Sequence, residues 1–166
     1  IAGIIDRRIL INYTVDPDIV RKILPEPFRP KVYLDKAIVG ICLIRLKDIR
    51  PKRLPGVLGI SSENGAHRIA VDWMEGEEVK EGVFIPRRDT SSLINTIAGG
   101  RVFPGRHYHA KFTVHEEDDK YRIAFKSSDG TTISIDAERA IALNSASIFG
   151  DIETASSFFE NGSVGY

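Results

Sequence analysis

The chain is poor in cysteine. Cys42 is the only one in 166 residues, so no internal disulfide can staple the fold. Cys42 sits in an apolar run, which favours a reducing compartment, and a cytoplasmic location is the expectation. Excess charge is also missing: 23 Lys+Arg balance 23 Asp+Glu, which leaves no net field to draw nucleic acid or a membrane surface. No apolar stretch approaches the ~20 residues of a membrane span, and no signal-peptide pattern is present. The first residue is Ile1 rather than methionine and Tyr166 ends the chain just after a glycine, so a segment trimmed at both ends is expected. There is no G-x-S-x-G, no phosphate-binding glycine loop and no zinc-type cysteine spacing. The aromatics do not interleave with a basic patch, so neither nucleic acid nor a membrane is an expected partner. No internal repeat or low-complexity tract appears.

What is present is an ordinary globular composition, 42% hydrophobic and 28% charged, and a single domain over residues 1–166 is expected. Residues 4–14 read as a strand. "VDPDIVRKILPEP" follows as a short helix with Asp16 as N-cap, Pro17 at the first helical position, and Ile19, Ile23 and Leu24 as its buried stripe. Residues 31–48 read as two strands joined at Asp35-Lys36. The apolar run from Ile38 to Ile44 predicts burial on both faces. Residues 49–65, with Pro51, Pro55 and three glycines, read as a long loop. Strand 66–73, a charged turn and the apolar run Val83–Ile85 come next, and a helix is expected over 90–98, stopped by Gly99-Gly100. "RHYHAKFTVH" (106–115) alternates cleanly as a strand. Asp129-Gly130 marks a hairpin, and residues 151–162 read as a last short helix. The fold class is α+β, a curved, barrel-like antiparallel sheet with two or three short flanking helices.

The chemistry concentrates at "GVFIPRRDT" (82–90), where Arg87 and Arg88 follow an apolar run. On a continuing strand they lie on opposite faces, so one points inward and must be paired or hold an anion. A helix opening near Thr90 would add N–H groups that favour anions. The alternative is a solvated strand end paired with Asp89. His107 and His109 share a strand face. A metal there would need a third ligand from Glu63, Asp72 or His67, and no spacing fixes one, so no metal is expected. Proton transfer near neutral pH is their other role. Arg7 and Arg8 interrupt an apolar strand, one facing each side, and Glu63 in "SSENGAHR" is a candidate partner for the inward one. Read alone, Glu-Asn-Gly is turn chemistry.

Three segments carry a family resemblance. "YTVDPDIVRKILPEPF", "SSENGAHRIAV" and "FIPRRDT" resemble, in the same order, segments of the acetoacetate decarboxylase superfamily. "GVFIPRRDT" and "FPGRHYHAKF" are more similar still to an uncharacterised sister family, a domain of unknown function. The resemblance implies a curved β-barrel flanked by helices, a ligand pocket in the barrel, and a homo-oligomer, at least a dimer. It places Glu63 on the family's active-site glutamate and "FIPRRDT" on its Tyr-Pro-Lys-Lys segment. The family's N-terminal arginine falls on Asp6 by direct register, with Arg7 one place off.

The family's first lysine forms a Schiff base, with a pKa lowered by the charge beside it. Both positions are arginine in this chain, and a guanidinium stays charged and cannot be the amine nucleophile. The expectation is therefore a protein that binds, and acts on, a small carboxylate or keto acid without Schiff-base chemistry and without a cofactor. Arg87, Arg88, Arg7 and Arg8 are its candidate anion-binding residues, Arg87 being favoured, and Glu63, His107 and His109 its proton-transfer residues. A non-catalytic binding or structural barrel stays open beside it.

Overall fold

The computed structural model describes residues 2–53, 55, 59–93, 96 and 105–160. In chain order these form β1 (Ala2–Val15), α1 (Pro17–Arg21), β2 (Arg29–Pro30), β3 (Val32–Tyr33), β4 (Lys36–Arg50), β5 (Ile60–Glu75), β6 (Glu78–Thr90), β7 (Arg106–Glu117), β8 (Lys120–Ser127), β9 (Thr132–Glu138) and α2 (Ile152–Glu160). The strands join one sheet in the order β1-β4-β5-β6-β7-β8-β9, with β2 paired to β5 and β3 to β4. The α+β class expected from the sequence is therefore what the chain adopts. One ladder departs from antiparallel: β6 and β7 run parallel, with Arg88 opposite His107 and Thr90 opposite His109. β7, β8 and β9 are successive antiparallel hairpins.

Local chemistry explains most boundaries. Asp16 caps α1, accepting from the Asp18 N–H at 2.8 Å, and Pro17 supplies a pre-set φ. The expected stripe of α1 is corrected. Ile19 and Ile23 are exposed, and Val20 is the buried residue. With five residues the helix is too short for an i, i+4 stripe; Val20 packs with Ala37, Ile69 and Val71, and Leu24, half-buried just after the helix, packs against the same cluster as expected. The hairpin turn between β3 and β4 is Leu34-Asp35, both at positive φ (44° and 59°), one residue earlier than the sequence suggested.

Two further expectations change. The loop placed at 49–65 is shorter, because β5 begins at Ile60 and takes Glu63 and Gly65 into a strand. The Glu63 N–H donates to Ser91 Oγ and the Ser91 N–H to Glu63 O, both at 2.9 Å, so sheet pairing overrides the turn chemistry of Glu-Asn-Gly. The helix expected over 90–98 does not open at Asp89-Thr90, since β6 continues through Pro86 to Thr90. Leu93 and Thr96 are helical, and the Thr96 N–H donates to Ser92 O. Residues 94, 95 and those from 97 on, with the Gly99-Gly100 stop, and Gly162 at the end of the last expected helix lie outside the described residues.

The chain separates into two compact units. The first, comprising residues 1–11, 41–67 and 86–138, is built on Ile41, Leu43, Ala110, Ile123 and Phe125, with Ile9, Ile11, Phe112 and Val114 against them. These positions follow the period-2 alternation of β1, β4, β7 and β8, which puts them on one face of their strands. The second, comprising residues 12–40, 68–85 and 139–166, has one cluster at Val20, Ala37, Ile69 and Val71 and another at Ile38, Ala70, Phe149 and Phe158.

Candidate functional site

Both ends of the apolar cluster in the first unit carry charge. Strand alternation puts Arg7, Arg45, Glu63 and Glu116 on the same face as Ile9, Leu43 and Val114. Glu63 sits between two arginines, Arg7 Nη2 at 2.5 Å from Oε2 and Arg45 Nε at 2.6 Å from Oε1. Glu116 accepts from Arg45 Nη1 at 2.9 Å and also pairs with Arg7. Burial opposes the charge on Arg45, and the Glu63 and Glu116 carboxylates outweigh it, so its pKa is raised. Burial likewise works against ionised Glu116, and Arg45 and Arg7 overcome it and hold its carboxyl below the usual range. Asp6 and Lys47 extend the network at 2.7 Å. Arg7 Nε is buried with no hydrogen-bond partner among the described residues, a donor that a water or a ligand oxygen would satisfy. Arg8 is exposed, so Arg7 is the inward member of that pair.

The second network is centred on Asp89, which has no exposed surface. Its carboxylate accepts from Arg87 Nη2 at 2.7 Å, from Ser127 Oγ at 2.5 Å, and meets His67 Nε2 at 2.8 Å. Burial works against its charge, and the bonds to His67, Arg87 and Ser127 outweigh it and lower its pKa to about 2. Arg87 also reaches Asp129 Oδ2 at 2.6 Å, and its guanidinium carbon lies 4.2 Å from the Tyr108 ring centre. Asp129 is held well below the ordinary carboxylate range, first by Arg87 and then by the Thr131 N–H. All three nitrogens of Arg87 are thus committed to two aspartates.

Between the two networks lies Phe125. A Cβ on Gly65 would stand 3.1 Å from Phe125 Cε1 and 3.2 Å from Ile41 Cδ1, so the absent side chain at 65 is what lets the ring close down on β5.

Arg88 occupies the opposite face of β6. It stands across the parallel ladder from His107 and within electrostatic range of the buried Cys42. Burial lowers the pKa of Arg88, partly opposed by Cys42. The His107 ring is pushed down first by burial and also by the charge of Arg88, against a bond to Gly105 O. Because Nδ1 lies 3.0 Å from that carbonyl, Nδ1 carries the proton, and Nε2 of the neutral ring is an acceptor. His109 follows on the same strand face. Among the described residues no group of three His, Cys, Asp or Glu side chains converges to hold a metal ion.

Sequence reasoning named Glu63, Arg7, Arg87, Arg88 and His107, offered Glu63 as a partner for an inward arginine and Asp89 for the arginine pair, and missed Arg45, Glu116, Asp129 and Ser127. Arg45 interrupts the apolar run "ICLIRLKD" as Arg7 interrupts β1, and that signal could have been used. Glu116 opens the acidic run at the end of β7 and Asp129 sits in a Ser-Asp-Gly turn; both look solvated, and nothing marks them. His67 was weighed only as a metal ligand, whereas it is the partner of Asp89.

A curled sheet of mixed strands with two short helices among the described residues makes this an acetoacetate decarboxylase-like fold. A crystal structure of acetoacetate decarboxylase from Legionella pneumophila subsp. pneumophila str. Philadelphia 1 is similar, with a TM-score of 0.60 and 22% identity over 86% of this chain. The chain spans about half of that protein, 52% of its length. No curated protein matches the sequence. The chain belongs to the family DUF2071, described as "Uncharacterized conserved protein", whose model matches residues 5–159. No helix among the described residues is long and apolar enough to cross a membrane.

Proposed function

We propose that the protein binds a small carboxylate or keto acid at Arg88 and moves a proton with His107, without an imine. The observation that carries this reading is the Arg88–His107 pair across the parallel ladder. It puts a permanent cation beside a neutral imidazole, Nε2 of which accepts no hydrogen bond from the described residues. A bound carboxylate there would accept charge-assisted hydrogen bonds from the Arg88 guanidinium. His107 Nε2 would then face a substrate whose α-proton is acidified by the neighbouring carbonyl. Glu63 and Arg87 serve as fixed ion pairs in this reading, and His109 as a neighbour on the same strand face.

The test is calorimetric titration with pyruvate and acetoacetate, together with exchange of the pyruvate methyl protons in D2O followed by NMR. Arg88→Met is expected to lose binding at least tenfold. His107→Gln is expected to retain binding and lose exchange. Undiminished binding by Arg88→Met would overturn the assignment.

A second reading has its own support: a non-catalytic barrel. Phe125 packed against Gly65 and Ile41, between two closed ion networks, fills the face on which the resembling decarboxylases carry their lysine. Under that reading neither ligand gives heat and neither variant changes anything but stability. Under both readings the protein is a homo-oligomer, at least a dimer; the superfamily resemblance and the neutral net charge support this.

A further inference from the structure

β9 stands at the end of the sheet order, paired to β8 on one side and to no strand on the other among the described residues. The ladder is regular: Thr132–Glu138 face Lys126–Lys120 one for one, with no bulge. The Ser127 N–H donates to Thr131 O at 2.8 Å where the hairpin closes. Bonded and non-bonded pairs alternate along an antiparallel ladder. Counting from that bond, Ile133, Ile135 and Ala137 bond to β8, and the N–H and C=O groups of Thr132, Ser134, Asp136 and Glu138 point to the free edge. The strand has no proline or lysine to blunt that edge. Its side chains alternate in step. Thr132, Ser134, Asp136 and Glu138 are exposed on one face. On the other, Ile133 and Ile135 are half-buried against the apolar cluster of the first unit, so part of each stays in water.

We propose that this edge pairs with β9 of a second copy, antiparallel about a two-fold axis at Ile135. The proposal rests on the homo-oligomer reading above and assigns the surface that makes the contact. β9 is complementary to itself in that register. On the half-buried face Ile135 meets its own counterpart, and Ile133 meets Ala137 of the partner subunit. On the exposed face Ser134 opposes Asp136 of the partner subunit, and Thr132 opposes the partner subunit's Glu138, so hydroxyls donate to carboxylates. These same residues carry the outward backbone groups, so each of these pairs is a bonded one. An axis at Asp136 would set two carboxylates against each other. An axis at Ser134 would leave Glu138 beyond the end of the partner strand, and a slip of one residue would put the two apolar rows on opposite faces. The second copy extends the sheet and covers what is left exposed of Ile133 and Ile135.

Sedimentation velocity over a concentration series reads the association, and circular dichroism reads the fold. Ser134→Pro removes an N–H that faces only the edge and spares the bonds to β8. It is expected to weaken association at least tenfold with the β-sheet spectrum kept. Ser134→Glu sets a carboxylate against Asp136 of the partner subunit, twice per dimer, and is expected to weaken association severalfold. Ser134→Lys sets an ammonium there and is expected to tighten it severalfold. If Ser134→Pro does not fold, the Glu and Lys variants decide. A monomeric wild type would overturn this proposal and the oligomer reading together. A wild-type oligomer that a folded Ser134→Pro leaves intact, or that answers alike to Ser134→Glu and Ser134→Lys, would overturn the β9 interface and leave the oligomer reading standing.

Discussion

Replacing Asp89 with asparagine is the sharpest test of the first unit. Asp89 has no exposed surface and holds three partners, Arg87, His67 and Ser127. Asparagine keeps the shape and one acceptor oxygen but not the charge, leaving Arg87 with Asp129 alone. Removing one member of a buried ion pair costs about 3–5 kcal/mol. Two effects pull the expected value to the low end: Asp129 still pairs with Arg87, and the amide still accepts a bond. We expect a loss of about 3 kcal/mol, which for a chain of this size lowers the melting temperature by roughly 6–12 °C.

The pH dependence gives an independent number. The folded pKa of Asp89 is about 2, against about 3.9 for a free aspartate. A depressed carboxylate pKa stabilises the fold above the unfolded value, and that stability is lost as pH falls through the folded one. The contribution is about 3 kcal/mol, complete above roughly pH 5 and lost between about pH 4 and pH 2. Glu116, Asp6 and Asp129 are also lowered and act with the same sign. Only the difference between wild type and Asp89→Asn isolates Asp89. Urea unfolding at pH 7 and at pH 3 measures both quantities. A loss under about 0.5 kcal/mol at pH 7, or equal pH dependence in the two proteins, would refute the argument. Adding Arg87→Met to Asp89→Asn should recover part of the loss, because removing both charges leaves no buried ion without its partner.

Gly65→Ala should cost about 1–3 kcal/mol in the same unfolding assay, since its Cβ meets the edge of a packed ring at 3.1 Å. Phe125→Leu in that background should relieve part of the cost, and a neutral Gly65→Ala would show that the ring has room to move. Borohydride reduction in the presence of acetoacetate should leave the wild-type mass unchanged, and an adduct on any lysine would sink the reading of "PRRD". Arg87→Lys is the companion variant: an adduct formed only there would show that a keto acid reaches position 87. Light scattering should give at least the dimer mass, and a monomer mass over a wide concentration range would count against association.

Much of the sheet was legible because alternation is a local signal. "RHYHAKFTVH" puts Ala110 inside and Lys111 outside with no help from the rest of the chain, and Asp16-Pro17 starts a helix by its own chemistry. The site was half legible for the same reason. A charged residue inside an apolar strand must find a partner, and that singled out Arg7 and proposed Glu63 for it. What no local rule supplies is the identity of residues brought in from a distance. Asp129 lies 42 positions beyond Arg87 and Glu116 lies 109 beyond Arg7. Glu116 sits in a run of four acidic residues, any one of which could have been the partner, and Asp129 sits in a Ser-Asp-Gly turn that reads as ordinary hairpin chemistry. The strand through Asp89-Thr90 was misread as a helix start for a related reason. Asp and Thr are good N-caps in isolation, and only the ladder to β7 shows that Asp89 faces a buried cluster.

The arginine pair can be argued one step further from charge alone. A Schiff-base lysine must lose its proton to react, so a decarboxylase site keeps a second cation beside it and leaves the amine without a strong carboxylate partner. Arginine at position 87 reverses that requirement. Its charge is permanent, and burial without a counter-ion would be prohibitive, so aspartates on either side are the condition for keeping it there at all. Asp89 lies two residues along the same strand, and Asp129 comes from the β8–β9 turn. An incoming carboxylate would have to displace a resident one already held in place by Ser127, His67 or Thr131, and it would lose its own translational freedom in doing so. An external anion at Arg87 therefore has to compete with Asp89 and Asp129. Arg88, on the other face of β6 and beside His107, is the member of the pair to which we assign the proposed ligand.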